Sequence, residues 1–494
     1  MSTLTRVIQQ AAIAAGDQHT VEAAVHVLRA GGNAVDAVVG AGFAAAVAEP
    51  CLTSLGGGGF LLHRAPDGTS RLFDFFVDAP GRGLADVALS AFHFEPITLQ
   101  FAGTTQTFHC GYGSVAVPGV LAGYLKAHAA LGRLSLAQVV APAVRLAREG
   151  FILGVAQAGL FDLLSRIVTA TPEAASVFGH YLEGAANGSK VANPLYANFL
   201  DELVDTVDHT STPDWQHRLV RAMQQNEGLV SADDLAAYQV VERVPLTFDL
   251  ADATLLTNPP PAFGGAIVGS ALTGAYGGHA TRPMPGVVTM LQALVDATAT
   301  GKKATAPTPR STKGTTQISI IDSEGGIASM TTSNGSCSGV MIPGTGIQLN
   351  NVMGEADLHP HGFHRTEPGT RIASMMAPSI ITWPDGSSAA LGSGGSERIR
   401  SAIVQVAAAV LAGQSAREAV DAPRMHVDDN SVVQAEPGIT DEKLEAVGRA
   451  WRINVWAERD LYFGGANLVH RDAAGALTAA GDPRRGGSSA VFDL

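Results

Sequence analysis

Residues 299–314 read ATGKKATAPTPRSTKG, and residues 315–333 read TTQISIIDSEGGIASMTTS. The first stretch is small, proline-bearing and locally basic through Lys302, Lys303, Arg310 and Lys313, the texture of an exposed flexible segment. The second predicts a hairpin, with a strand from Gln317 to Asp322, a turn at SEGG (323–326) and a return strand from Ile327 to Ser333. A loop that ends at Gly314 and delivers Thr315-Thr316 into a buried hairpin constrains the chain more than any other junction in it.

Helices alternate with strands elsewhere. A helix is expected from Val21 to Arg29, capped by Thr20 and ended by Gly31-Gly32, with Val21, Val25 and Leu28 on one face. Asn33 caps the next helix, with Asp36 in capping-box position. That helix is apolar nearly all round, so it should be buried, and Pro50 stops it. Leu72 to Phe76 reads as a strand. Pro118-Gly119 opens a helix through Leu131, Ser135 caps one running toward Glu149, and Ser231 with Asp234 marks another start. Asn258-Pro259-Pro260-Pro261 is a rigid loop. No G-x-G-x-x-G fingerprint supports a dinucleotide fold.

Composition narrows the function classes. The chain has 494 residues, 46% hydrophobic and 16% charged, which suits a packed core and not disorder. A net charge of −13 without a basic stripe argues against nucleic acid as a partner, since phosphate neutralisation supplies most of that affinity. The most apolar run, Ala37 to Ala48, is too short to span a bilayer. The N-terminus lacks a long apolar region of the secretory kind, so a cytoplasmic location is expected. The three cysteines, Cys51, Cys110 and Cys337, form no disulfide or zinc-ribbon pattern.

Thr315 is the leading chemical candidate. A threonine hydroxyl is a weak nucleophile unless a base adjoins it. When Thr opens a chain, its own α-amine is that base, and a pKa near about 8 suits the task. Thr315 gains the amine only by cleavage after Gly314, where glycine permits backbone angles denied to other residues. The plainer alternative is that Thr315-Thr316 merely starts a strand. Rival constellations are weaker. GSCSG (335–339) places Cys337 where a serine elbow needs Ser, and Cys110 beside His109 is expected to be a buried, inert thiol. His359, His361 and His364, with Glu355 and Asp357 upstream, have spacing that could hold zinc. Pro360 and Gly362 leave them no fixed face, so a surface loop at the site rim is preferred and neither metal nor cofactor is expected. The glycines at 56–59 either cradle an anion or pack tightly.

Ten blocks in order carry a family resemblance. They include LRAGGNAVDAVVGAGFAAAVAEP (28–50), LGGGGFLL (55–62), VPGVLAGYLKAHAALGRL (117–134), LVSADDLAAYQVVERVPL (229–246), NPPPAFGG (258–265), GTTQISIID (314–322), PGTGIQLNN (343–351), SMMAPSII (374–381) and LGSGGSERI (391–399). The chain resembles the γ-glutamyltranspeptidase family of N-terminal-nucleophile hydrolases. The resemblance implies an α+β fold, a four-layer αββα sandwich, and self-cleavage into a large segment (1–314) and a small one (315–494). The two pieces would remain together as a heterodimer, possibly a dimer of heterodimers. It assigns Thr315 as nucleophile and Ser333 as the hydroxyl that contacts the new α-amine. Gly394 and Gly395 become the oxyanion donors, with Ser396 one residue away. Fixed backbone donors suit that task because they need no reorganisation as charge develops.

The departures lie in substrate recognition. The position of the family's carboxylate-clamping Arg is Phe76, and its paired serines become Ser374 and Met375. The side chains that hold the substrate amine fall on Gly335 or Asn334, on Val352 and on Glu355. Only Glu355 and Ser374 keep the chemistry, and a Phe cannot replace a bidentate Arg–carboxylate contact. The segment between Asn351 and Ser374 is short for a lid, which favours water over an amine acceptor. The expectation is an amide hydrolase or acyltransferase acting on γ-glutamyl (glutathione-type) or related small acyl-amides, with hydrolysis favoured and no membrane partner. Alternatives are an acylase of glutaryl, cephalosporin or oxamate type, or a binding protein that kept the fold and lost the chemistry. Gln317, where many relatives carry His, fits the last of these.

Overall fold

A computed structural model of the protein describes residues 9–84, 94–101, 104–209, 214–250, 252–278, 283–301, 314–359 and 362–494. The segment expected to be flexible, 299–314, falls almost wholly outside them. Only its first residues, which end the Val287–Gly301 helix, and Gly314 are described.

Two sheets stack face to face at the centre. The first has seven strands in the order Ser488–Asp493, Gln10–Ala15, Gly314–Ile321, Ile327–Gly335, Gly58–Arg64, Ser70–Phe75 and Val241–Arg243. The second has six, in the order Leu477–Ala480, Gly465–Arg471, Ser388–Gly394, Ser379–Thr382, Thr254–Thr257 and Leu246–Asp249. Every pairing in both sheets is antiparallel.

Helices cover both outer faces. Ile318 and Ile320 share one apolar cluster with the Gln18–Arg29, Ala34–Ala48 and Leu136–Glu149 helices. Ile321 shares the other with the second sheet and the Gly264–Tyr276 and Arg398–Leu411 helices. Period-two alternation thus points one side of the central strand at helices and the other at the opposing sheet. This is the expected αββα order.

The expected hairpin is present and longer than its sequence suggests. Its strands run Gly314–Ile321 and Ile327–Gly335. Asn33 and Asp36 form the expected capping box, as do Ser231 and Asp234, and Ser135 caps with Gln138. The first helix departs from expectation. It starts at Gln18 with Asp17 as the cap, and Thr20 is fully buried inside it. The Thr20 hydroxyl donates instead to Glu49 Oε1 at 2.7 Å.

Residues before and after position 314 contribute strands to both sheets. Gly314–Ile321 lies between Gln10–Ala15 from the first part and its own hairpin partner, which in turn pairs with Gly58–Arg64. A cut after Gly314 would leave two pieces that share each sheet and cannot separate without dismantling it.

Candidate active site

Thr315 and Ser333 are cross-strand partners in the hairpin, so their side chains leave the same face, toward the second sheet. The Thr315 hydroxyl donates to Ser333 Oγ at 3.2 Å, and the Ser333 hydroxyl donates to the Gly314 carbonyl at 2.5 Å. One chain of hydrogen bonds therefore joins the candidate nucleophile to the carbonyl ahead of it. The ladder register shifts between Gly314 and Thr315. Gly314 is needed for space: a Cβ there would lie 2.2 Å from the Cys51 carbonyl oxygen.

The Gly394 turn meets Thr315 from the opposing sheet. A Cβ on Gly394 would lie 2.2 Å from the Thr315 carbonyl oxygen, so only glycine allows this approach. Gly395 has φ +121 and Ser396 φ +53, and this left-handed pair turns the chain from strand into the Arg398–Leu411 helix. The next two side chains below Thr315 on the same face, Gln317 and Ser319, are polar and satisfied. Gln317 donates to Ser319 Oγ and Ser329 Oγ and accepts from Thr331 Oγ1 at 2.6 Å. Gln317 is therefore a strut between strands.

The expected substrate-binding residues divide. Phe76 is buried and stacks on Phe60, with ring centroids 5.7 Å apart. The guanidinium of Arg371, which shares Asp74 with the Phe76 N–H, is engaged by Asp74, Asp78 and the Gln239 carbonyl, so it does not replace the absent clamp. Ser374 and Met375 are both buried, and Ser374 Oγ accepts from the Met376 N–H. Glu355 and Asn351 gather at Gly335, where an added Cβ would lie 2.9 Å from Glu355 Oε1 and 2.2 Å from Asn351 Oδ1. Val352, also buried, adds an apolar side chain.

Asn334 is not part of this group. It is the extra residue where the ladder register shifts, and its amide donates to Cys337 Sγ at 3.7 Å, in the helix-side cluster. Asn351 brings an amide to Gly335 from a different strand of chain, a residue that motif matching passed over because it lies one position from Val352.

One residue of the histidine loop departs from expectation. His359 is 5% exposed and bonds through Nε2 to the Val352 carbonyl at 3.0 Å. His364 and His109 pack around Phe94 and Phe363. These rings form a half-buried aromatic cluster between exposed Gly362 and Arg365, so the loop lies at the surface as expected and only His359 turns inward; His361 lies outside the described residues. No cluster of three metal-ligating side chains occurs among the described residues. The Cys51, Cys110 and Cys337 thiols are all buried. Burial pushes that of Cys337 up to about 12, which fits inert side chains. The glycines at 56–59 face backbone and side chains across the sheet, with a Gly57 Cβ only 2.3 Å from the Ser333 carbonyl oxygen, so tight packing accounts for them.

Glu49 escaped sequence reading. It follows the buried Ala34–Ala48 helix and is itself fully buried. Its Oε2 accepts from the hydroxyl of Thr316 at 2.6 Å, on the face opposite Thr315. Burial, and after it the nearby Asp17 carboxylate, raise Glu49 from 4.5 to about 7. Unfolded protein ionises this group from about pH 4.5 upward while the native state holds the proton to about 7. The native state binds more protons in that window, so stability declines as pH rises through it and stays low above 7. Glu49→Gln should flatten this decline by roughly 3 kcal/mol, seen as a Tm that no longer falls between pH 5 and 7.5. An unchanged Tm profile in the variant would show that Glu49 does not titrate there.

A hydroxyl residue at the edge of a central strand, faced by a glycine turn inside an αββα sandwich, defines the N-terminal-nucleophile type of fold. Comparison with known proteins agrees. The Gamma-glutamyltranspeptidase family matches residues 20–300 and 285–492, so the chain belongs to the γ-glutamyltranspeptidase family and is an enzyme of that family. The glutathione hydrolase proenzyme of Escherichia coli (strain K12) is 27% identical over 477 residues, 85% of this chain and 81% of its own. The acylase ACY 1 proenzyme of Pseudomonas sp. (strain SE83) is 28% identical over 514 residues, 93% of this chain and 89% of its own. The crystal structure of cephalosporin acylase from Bacillus halodurans shares the fold, with a TM-score of 0.78 at 23% identity over 98% of this chain and 96% of its own. The chemistry of the family is amide hydrolysis and acyl transfer.

Proposed function

We propose that this enzyme cuts its own chain between Gly314 and Thr315, and that the freed Thr315 then hydrolyses small acyl-amides through an acyl-enzyme. The observation that carries the reading is the hydrogen-bond chain from Thr315 Oγ1 through Ser333 Oγ to the Gly314 carbonyl. In the first step Thr315 Oγ1 attacks the Gly314 carbonyl carbon. Its proton moves toward Ser333, while the Ser333 hydroxyl supports the carbonyl oxygen as charge develops. The C–N bond breaks, the nitrogen takes a proton and an ester forms. Water hydrolyses that ester, leaving a carboxylate on Gly314 and an α-amine on Thr315.

In turnover the α-amine is the base for Thr315 Oγ1. The substrate carbonyl carbon receives the oxygen, the amine leaving group departs with the proton, and water releases the acid. An amine in place of water would give transfer. The backbone N–H groups around Gly394 and Gly395 serve the oxyanion.

The stacked Phe76 and Phe60 and the buried Met375 favour a second reading of the substrate, an acyl group of the acylase type. An apolar wall offers a γ-glutamyl α-carboxylate no fork of donors, whereas Glu355 keeps an acid for a donor on the substrate. N-terminal sequencing of the small fragment should read TTQISI, and a γ-glutamyl anilide should be turned over more slowly than a glutaryl or oxamate substrate. Active protein with residues 314 and 315 still joined overturns the mechanism; preference for the γ-glutamyl anilide overturns only the second reading.

A further inference from the structure

The Gly394–Gly395–Ser396 turn is backed by buried positive charge. Arg485 is 6% exposed and Arg398 3%. The alkyl stem of Arg485 lies against Gly465, where a Cβ would come within 2.5 Å of its Cδ. Its Nη2 is 3.3 Å from the place a Gly395 Cβ would take, and it donates to the Leu461 carbonyl at 3.2 Å. Its Nε has no partner among the described residues. Arg398 donates from Nε to the Tyr462 carbonyl and lies over the Tyr462 ring, 4.8 Å from its centroid.

The carboxylates nearby are engaged elsewhere. Asp482 is bridged by Arg424 at 2.7 Å and Arg484 at 3.1 Å. Glu436 is bridged by Arg484, and Asp460 accepts from the Tyr462 N–H. Among the described residues no carboxylate lies within ion-pair distance of Arg485. Burial and the neighbouring Arg398 lower its guanidinium to about 10, which still leaves it charged at neutral pH.

Asp482 and Asp460 offset part of its charge from a distance, but a buried guanidinium with no carboxylate in contact is costly, and such cost is tolerated where the charge acts. Here it lies against Gly395, next to the Gly394 backbone that closes on Thr315. We propose that Arg485 is a positioning residue for acyl transfer: its guanidinium holds the left-handed Gly395–Ser396 turn in place and adds a fixed positive field behind the oxyanion donors. The proposal rests on the reading of Thr315 as nucleophile. A field of this kind grows in value as the carbonyl oxygen gains charge, so it should act on kcat and leave KM nearly alone.

Arg485→Met should lower kcat by about 10- to 100-fold with KM within twofold, in protein that is cut and melts cooperatively, while Arg485→Lys recovers at least a third of the parental kcat. Parental kcat in folded Arg485→Met overturns the proposal, as does a loss confined to KM. Should Arg485→Met not fold, Arg485→Gln replaces it. If neither neutral variant folds while Arg485→Lys folds with parental kcat, Arg485 serves stability alone and the proposal is overturned. Activity in a Thr315→Ala variant would instead overturn the underlying reading, whatever Arg485 does.

Discussion

Thr315→Ala should yield a folded chain that stays in one piece and loses at least about 10³-fold in turnover, the scale on which a lost nucleophile is felt. The substitution removes the hydroxyl that attacks Gly314 and, by blocking the cut, also withholds the α-amine. The sandwich should survive. Thr315 is 4% exposed and its side chain makes one hydrogen bond, to Ser333, so the cost to stability is about 1 kcal/mol. Strands from both sides of position 314 already interleave in both sheets, so folding does not wait for cleavage. Thr315→Ser keeps a hydroxyl at the same place and should still be cut, more slowly. A denaturing gel and an amide-hydrolysis assay on the two variants separate the outcomes. Parental turnover by uncut Thr315→Ala protein would end the nucleophile assignment.

What the sequence discloses and what it hides follows from the range of the interaction concerned. The hairpin was readable because alternation and a Gly-Gly turn are local properties, and so were the boxes at Asn33 and Ser231. Thr20 misled because its hydroxyl has the right chemistry for a cap yet bonds to Glu49, 29 residues away, and Asp17, three residues earlier, takes the cap. Asn334 is the unpaired residue of a register shift, where local alternation gives no guide, and its amide is taken by Cys337. His359, His364 and His109 look like ligands in a list of residue types. His359 is buried on the Val352 carbonyl, and His364 is half-buried against Phe94, a ring from a distant part of the chain that His109 also meets. Gly394 and Gly395 were legible as a motif, but the guanidinium behind them was not, because nothing near Arg485 in sequence refers to Gly395.

Gly394→Ala is expected to be the most damaging single-methyl change near the site, lowering kcat by about 10²- to 10³-fold, comparable to losing an oxyanion donor. The added carbon would sit 2.2 Å from the Thr315 carbonyl oxygen and 3.5 Å from Thr315 Cβ. Neither neighbour is the free end of a flexible side chain. Thr315 is held in the hairpin ladder opposite Ser333, and Gly394 is held in the second sheet opposite Gly465. The contact can be relieved only by moving one sheet away from the other at the point where nucleophile and oxyanion donors must meet. Overpacking of this kind costs about 1–3 kcal/mol, which a fold of this size withstands while the geometry of the site does not. Gly386→Ala is the matched control. Gly386 lies in the turn that leads into the same Ser388–Gly394 strand and has φ +91, a strain that Gly394 does not carry, but nothing lies within 4 Å of its absent Cβ. That variant should lose some stability through backbone strain and keep kcat. Equal kcat losses in the two variants would mean that strain in the second sheet, and not contact with Thr315, makes Gly394 necessary.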